Sequence, residues 1–110
     1  MKPLAPLLLV AVLVAGCGEK RHHQTEAERI KMENAFGQVQ VNIGTATKGS
    51  GPADETVMEQ YTNDYVALIR KYANDLGDAE VKNRLTDEVA QVQPWCLTCG
   101  QILLRESERY

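Results

Sequence analysis

The sequence predicts a small all-α domain, an antiparallel three-helix bundle whose third helix is kinked at Pro94, after an apolar N-terminal segment and a short tether. Apolar residues recur at steps of three and four over long stretches, and glycine and proline stand where helices should end. No convincing pair of strands is present. The 110 residues leave room for one small domain only.

The first sixteen residues differ in composition from the rest of the chain. Lys2 supplies one positive charge, an uncharged and mostly apolar run follows, and the small residues Ala15 and Gly16 close it. This is the order of charge, apolar run and small residues found in secretory signal peptides. The run is too short to span a bilayer, which takes about 20 apolar residues. Residues 1–16 are therefore predicted to be a cleaved export signal.

The end of that segment, Val14-Ala15-Gly16-Cys17, resembles the lipobox of bacterial lipoproteins. The resemblance implies cleavage between Gly16 and Cys17 and fatty acyl chains such as palmitate on Cys17, with no other cofactor. It also implies an exported protein anchored in a membrane by lipid alone. With Gly18 after the cysteine, this is the outer membrane of a Gram-negative host; in a Gram-positive host it is the outer face of the cell membrane. Two or three acyl chains suffice, at about 0.8 kcal/mol per buried methylene.

The mature chain is predicted to have two parts. Residues 17–24 comprise the lipidated cysteine and a polar, flexible tether without apolar periodicity. Residues 25–110 form the helical domain. Its first helix is expected to begin at a capping box, in which Thr25 and Glu28 each satisfy a backbone amide of the other.

The first helix is predicted from an apolar stripe at steps of four and three. The stripe consists of Met32, Phe36, Val39, Ile43 and Ala46. The alternative is a helix that stops at Gly37 and a strand through the next residues, so residues 38–43 are either helix or strand at this point. Helix is favoured because a lone strand leaves its backbone groups unpaired.

A second helix is predicted after the break at residues 48–52, which contains two glycines and a proline. It is expected to end at Leu76, with Gly77 as its C-terminal cap and Asp78 as the N-cap of the next helix. Its apolar face consists of Val57, Met58, Tyr61, Tyr65, Leu68, Ile69, Tyr72 and Leu76.

The third helix is predicted to bury four aliphatic residues and to end or kink near Pro94, which cannot donate a backbone hydrogen bond. These residues are Val81, Leu85, Val89 and Val92. A last segment runs from Trp95 to about Glu108. Its tail, residues 105–110, is expected to be solvated and frayed.

The stretch Trp95-Cys96-Leu97-Thr98-Cys99 resembles the W-C-x-x-C redox motif of thioredoxin-like proteins, which implies an attacking thiol at Cys96. The strands that this fold needs are missing from the sequence. A structural disulfide between Cys96 and Cys99 is therefore favoured, with two free thiols as the remaining alternative. A zinc site shared with His22 and His23 is disfavoured, because adjacent histidines lack the usual separation of ligands.

The tyrosines of the second helix are a candidate interaction surface. Tyr61, Tyr65 and Tyr72 lie on one face, although aromatic residues at helical spacing are more often part of a core. Scattered acids such as Glu55, Glu59 and Asp87 are expected to be solvated.

Charge and motif content narrow the function. The chain has 12 Lys and Arg against 15 Asp and Glu, so it offers no basic footprint for nucleic acid. No catalytic or metal-ligating set is present. The leading hypothesis is a non-enzymatic, lipid-anchored module that binds or shields an unidentified envelope protein. The alternatives are an envelope thiol-disulfide protein that uses Cys96 and Cys99, and a structural or assembly subunit.

Overall fold

The computed structural model describes residues 24–47 and 54–110. In these two ranges the chain forms four helices and no strand: α1 (Glu26–Thr47), α2 (Glu55–Leu76), α3 (Asp78–Val92) and α4 (Leu97–Ser107). The all-helical prediction is confirmed. The predicted export signal, Cys17, most of the tether and the break at residues 48–52 lie outside the described residues.

The start of α1 is the predicted capping box. The backbone N–H of Thr25 donates to Oε1 of Glu28 at 2.9 Å, and the N–H of Glu28 donates to Oγ1 of Thr25 at 3.1 Å. Two backbone amides that the helix leaves without partners are thereby satisfied. The helix then continues to Thr47, so residues 38–43 are helical.

A single residue, Gly77, connects α2 to α3. Its φ of 87° lies in the region that favours glycine, and its N–H donates to the carbonyl of Ala73 at 2.9 Å. Its own carbonyl accepts from Val81 at 3.0 Å. The prediction of Asp78 as N-cap is wrong by one residue, because Gly77 occupies both cap positions and Asp78 begins α3.

Where one kinked third helix was predicted, the structure has two helices. α3 ends at Val92, and the N–H groups of Trp95 and Cys96 both donate to the Val92 carbonyl, at 2.9 and 2.8 Å. Pro94 lies inside this turn, where its missing N–H costs no helical hydrogen bond. α4 then runs back along α2, since Glu106 in its last turn pairs with Arg70 in the C-terminal half of α2.

The core of the bundle lies where α1, α3 and α4 meet α2. The ring of Phe36 packs edge-on against Tyr65, with centroids 5.4 Å apart, and lies 6.1 Å from Tyr72. The hydroxyl of Tyr65 donates to the carbonyl of Arg84 on α3 at 3.3 Å. The buried hydrophobic residues are Met32, Phe36, Ile43, Met58, Tyr65, Val66, Ile69, Tyr72, Val81, Leu85, Val92, Cys96, Cys99 and Leu103.

The bundle has two distinct ends. Glu28 near the start of α1 and Asp75 near the end of α2 line a shared surface cleft, close to the Gly77 connection. At the opposite end, Thr47 at the end of α1 lies near Trp95 in the turn between α3 and α4. None of the described helices combines the length and the apolar character needed to cross a membrane.

Candidate binding groove

A groove of about 450 Å³ lies between the C-terminal half of α1 and the end of α3. This volume lies in the range of small-ligand pockets, about 300–1,000 Å³. Its lining residues come from α1, α3 and the turn that follows α3: Gln40, Ile43, Gly44, Thr47, Asp87, Glu88, Gln91 and Trp95.

The α1 wall of the groove is open at Gly44. A Cβ atom placed there would meet no atom within 4 Å, apart from the backbone of its own helix and its chain neighbours. Ile43 beside it is buried and gives the groove an apolar floor, whereas Trp95 is 52% exposed at the end of the groove. The groove therefore combines an apolar base with an accessible aromatic ring.

Glu88 is the unusual residue of the groove. It is only 2% exposed, and its carboxylate accepts a hydrogen bond from the Gln40 amide at 3.2 Å. Glu88 takes part in no ion pair within the described residues, 24–47 and 54–110. Burial raises the pKa of Glu88, and the charge of Asp87 raises it further, while the Gln40 hydrogen bond opposes them. A buried carboxylate without a cation is costly unless something compensates it.

The arginine of α3 pairs with carboxylates other than that of Glu88. Arg84, one turn before Glu88, donates two hydrogen bonds to the carboxylate of Glu33, at 3.0 and 2.7 Å, and a third to Glu80 at 2.9 Å. Its guanidinium lies 4.9 Å from the ring centroid of Phe36. The hydrogen bond from Arg84 lowers the pKa of Glu33. Arg84 therefore ties α3 to α1, and the described ranges leave the carboxylate of Glu88 without a cation.

A second buried carboxylate, Glu106, lies away from the groove and is fully paired. Arg70 donates to both of its oxygens, at 3.0 and 2.8 Å, and the Tyr110 hydroxyl donates at 3.1 Å. Nε of Arg109 lies 3.5 Å from Oε2 of Glu106. Burial raises the pKa of Glu106, but the hydrogen bonds from Arg70 and Tyr110 and the charges of both arginines outweigh it, so the net pKa is lowered. The expectation of a solvated tail is wrong at Glu106, which is 4% exposed.

The two cysteines are buried at the start of α4. Their sulfur atoms lie at disulfide-bonding distance, and their Cα atoms are 5.2 Å apart. Sγ of Cys96 also accepts a hydrogen bond from the N–H of Cys99 at 3.1 Å, so Cys96 is the N-cap of α4. Neither residue is more than 1% exposed, whereas Trp95 and Leu97 on either side of Cys96 are more than half exposed.

The tyrosines occupy different environments. Tyr65 and Tyr72 are buried against Phe36, and Tyr61 is partly buried at the edge of the core. The structure therefore places two of the three candidate rings in the core. Among the acids expected to be solvated, Glu55 and Asp87 are exposed and Glu59 is half-buried.

The described part of the chain contains no group of three or more His, Cys, Asp or Glu residues arranged to hold a metal. His22 and His23 lie outside the described residues, as do Gly16 and Cys17 of the predicted cleavage and lipidation site.

Sequence reasoning missed the buried polar residues, although a signal for them was present. Glu88 continues the stripe of Val81, Leu85 and Val92 at steps of three and four, and Glu106 continues the stripe of Cys99 and Leu103 in the same way. Polar residues in phase with an apolar stripe point towards the core.

Comparison of the chain with protein-family models, with curated proteins and with solved structures finds no match.

Proposed function

We propose that the protein is a non-enzymatic, lipid-anchored protein of the bacterial cell envelope whose helical domain binds another envelope component in the groove between α1 and α3. The observation that carries the binding role is Glu88, a buried carboxylate that faces the groove and has no cationic partner among the described residues. Buried charges of this kind cluster at functional sites, because a purely structural position favours neutral or paired groups.

The anchor part of the proposal is supported by the order of residues in the first seventeen positions. A basic residue, an apolar run, small residues and Cys17 follow one another as they do in bacterial lipoproteins. The proposal places the mature protein on the outer membrane of a Gram-negative host or on the outer face of a Gram-positive cell membrane.

The domain part of the proposal is an antiparallel bundle with three members. α3 is the third member, and the turn around Pro94 folds α4 back along α2 as a separate helix. The cysteine pair then serves as a staple of that turn, because both sulfurs are buried and the backbone of α4 begins on Cys96. Reactive cysteines usually sit in partly exposed sites, so the same burial weighs against the thiol-disulfide alternative.

The burial of Tyr65 and Tyr72 weighs against the assembly alternative in its original form. A contact surface that depended on these rings would require them to be accessible, and both pack against Phe36 instead.

Photocrosslinking in cells tests the binding role. A benzoylphenylalanine at Gln91, an exposed residue that lines the groove, should form a discrete adduct with an envelope component. The same probe at Gln60, an exposed residue of α2 outside the groove lining, is the matched control and should form none. The absence of any adduct at Gln91, or equal adducts at both positions, would contradict the binding role.

Intact mass measured on protein extracted from membranes tests the anchor. We expect the mass of the chain from Cys17 plus acyl groups, and expect Cys17→Ser to release the chain from the membrane fraction. A wild-type mass without acyl groups would overturn the localisation.

Replacement of Cys96 and Cys99 by Ser should leave the Gln91 adduct in place. Loss of the adduct with helical content intact would favour redox function.

A further inference from the structure

We propose that the groove recognises a basic side chain, the ammonium of a lysine or the guanidinium of an arginine, presented by a peptide segment of the partner. This inference rests on the proposed function and names the chemistry of the partner. The ion pair of that side chain with Glu88 and the contact of its aliphatic stem with Trp95 form the core of the proposed complex.

Charge complementarity is the first argument. Glu88 and Asp87 are adjacent and both line the groove, Glu88 buried within it and Asp87 exposed. No lysine, arginine or histidine is among the lining residues in the described ranges, and Arg84 is held by Glu33 and Glu80. The groove thus presents negative charge in a partly desolvated setting, where an opposite charge interacts more strongly than it does in bulk water.

The hydrogen bonding of Glu88 is the second argument. Gln40 donates to one carboxylate oxygen, Oε1. No described residue donates a hydrogen bond to Oε2, so the described part of the chain leaves this second oxygen available to a ligand. An ammonium or a guanidinium supplies a donor and a compensating charge together.

The apolar surface of the groove distinguishes a long basic side chain from a small cation. Lysine and arginine carry aliphatic stems that pack on apolar surface while the charged end reaches a polar partner. Ile43 at the floor and Trp95 at the end supply that surface, and the ring of Trp95 is also the preferred aromatic partner of a cation. Ca²⁺ by contrast takes 6–8 oxygen ligands, typically with several carboxylates, and the described residues offer no cluster of three ligating side chains.

The position of the groove suits a partner that comes from beyond the anchoring membrane. The tether enters the domain at the start of α1, whereas Thr47 and Trp95 line the groove at the opposite end of the bundle. α1 has 22 residues, which corresponds to about 33 Å at helical rise. With Cys17 in lipid, an upright domain would present the groove away from the headgroups.

Trp95 is the only tryptophan of the chain, so its fluorescence reports directly on the groove. The experiment titrates the mature lipidated protein in detergent with acetylated, amidated hexapeptides that contain two lysines, two arginines or two glutamines among glycines. We expect a saturable change of Trp95 emission with the lysine and arginine peptides, weakened by added salt, and none with the glutamine peptide. Equal responses to all three peptides would overturn the inference.

Two variants test whether Glu88 and the open wall at Gly44 bind the basic side chain. Glu88→Gln keeps the shape of the side chain, removes its charge and should weaken binding of the lysine peptide at least tenfold. Gly44→Leu fills the open wall without a change in charge and should weaken binding to a similar extent. Leucine is favoured over glycine in a helix, so this variant is expected to fold. The matched control, Glu26→Gln, removes an exposed charge at the far end of α1 and should bind as the wild type does.

The outcomes separate this inference from the proposed function. A Gln91 adduct in cells together with no saturable response to either basic peptide overturns the basic side chain and keeps the groove as a binding site. Binding of the lysine peptide that Glu88→Gln and Gly44→Leu leave unchanged also overturns the inference. Absence of both the adduct and the peptide response overturns the proposed function as well.

Discussion

Two buried glutamates, Glu88 and Glu106, occupy opposite electrostatic situations in the same small domain. Glu106 accepts hydrogen bonds from Arg70 and Tyr110, and its pKa is lowered. Glu88 accepts a hydrogen bond from Gln40 alone in the described part of the chain, and its pKa is raised. Both side chains are less than 5% exposed, so burial does not distinguish them.

The difference between the two glutamates separates a buried charge that is paired within the domain from one that, under the proposed function, a ligand would pair. The cost of burying Glu106 is offset by partners within the chain, which also tie α4 to α2. The cost of burying Glu88 is offset only in part by Gln40 of α1, and its carboxylate also lines the groove. The number of partners of each buried charge therefore distinguishes the candidate site from the structural ion pair.

The largest predicted effect is the loss of stability when the buried leucine one turn before each glutamate is replaced. Leu85 and Leu103 stand three residues before Glu88 and Glu106, and both are fully buried. Replacement of either leucine by alanine should lower the free energy of unfolding by about 2–5 kcal/mol, because it removes apolar contacts and leaves a cavity. Urea denaturation followed by circular dichroism measures both. A loss below 1 kcal/mol at one position would show that its helix is not packed as described.

The two glutamates themselves should respond in opposite directions. Glu106→Gln should lower the free energy of unfolding by about 1–3 kcal/mol, because charge-assisted hydrogen bonds from Arg70 and Tyr110 are weakened. Glu88→Gln should leave it unchanged or raise it by up to about 1 kcal/mol, because an uncompensated buried charge is removed. The same denaturation measurement applies at neutral pH. Similar losses in both variants would contradict the distinction.

The pH dependence of stability should sharpen the same contrast. Glu106 has a lowered pKa, so its contribution is present above its ordinary value of 4.5 and is lost as pH falls through the lowered pKa. Glu88 has a raised pKa, so its contribution is present below 4.5 and is lost as pH rises through the raised pKa. Denaturation midpoints across pH should show a weaker acid-side loss in Glu106→Gln than in the wild type.

Glu88→Gln should instead remove a decline in stability as pH rises above 4.5. Glu26→Gln, whose side chain is exposed and in the described ranges pairs with Arg29 in the same turn, is the control and should follow the wild-type curve closely. A Glu88→Gln curve parallel to the wild type at all pH values would contradict the raised pKa.

The smallest effect concerns a buried polar group without charge. Oγ1 of Thr62 is buried and has no hydrogen-bond partner in the described ranges. Thr62→Val should raise the free energy of unfolding by about 0.5–1 kcal/mol, because burial of an unsatisfied hydroxyl is unfavourable. Thermal denaturation measures the change. Destabilisation would show that the hydroxyl has a partner, such as a bound water.

Features of the fold that depend on residues close together in the chain could be predicted from the sequence. The capping box at Thr25 and Glu28 is a contact within one helical turn, and the face of α2 follows from spacing alone. The reversal after Val92 could not be predicted in the same way. Pro94 indicates that a helix is interrupted, but whether the chain bends or returns depends on the packing of α4 against α2.

The candidate site depends on contacts between distant residues. Glu88 meets Gln40, which is 48 residues away in the chain, and Arg70 meets Glu106, which is 36 residues away. The periodicity places both glutamates on apolar faces, yet it does not show which of them finds a cation. That distinction requires the positions of Arg70 and Arg84 in space, so only the structure reveals the groove.

The one-residue connection at Gly77 has a consequence for the order in which the domain folds. The entropy lost on closing a loop grows with its length, so α2 and α3 can meet at a smaller entropic cost than α1 and α2, whose connection spans residues 48–54. We expect the α2–α3 hairpin to be the folding nucleus, with α1 docking later. The groove would then be completed last, when α1 arrives beside α3, so α1 should be the first helix to exchange its amide hydrogens with solvent.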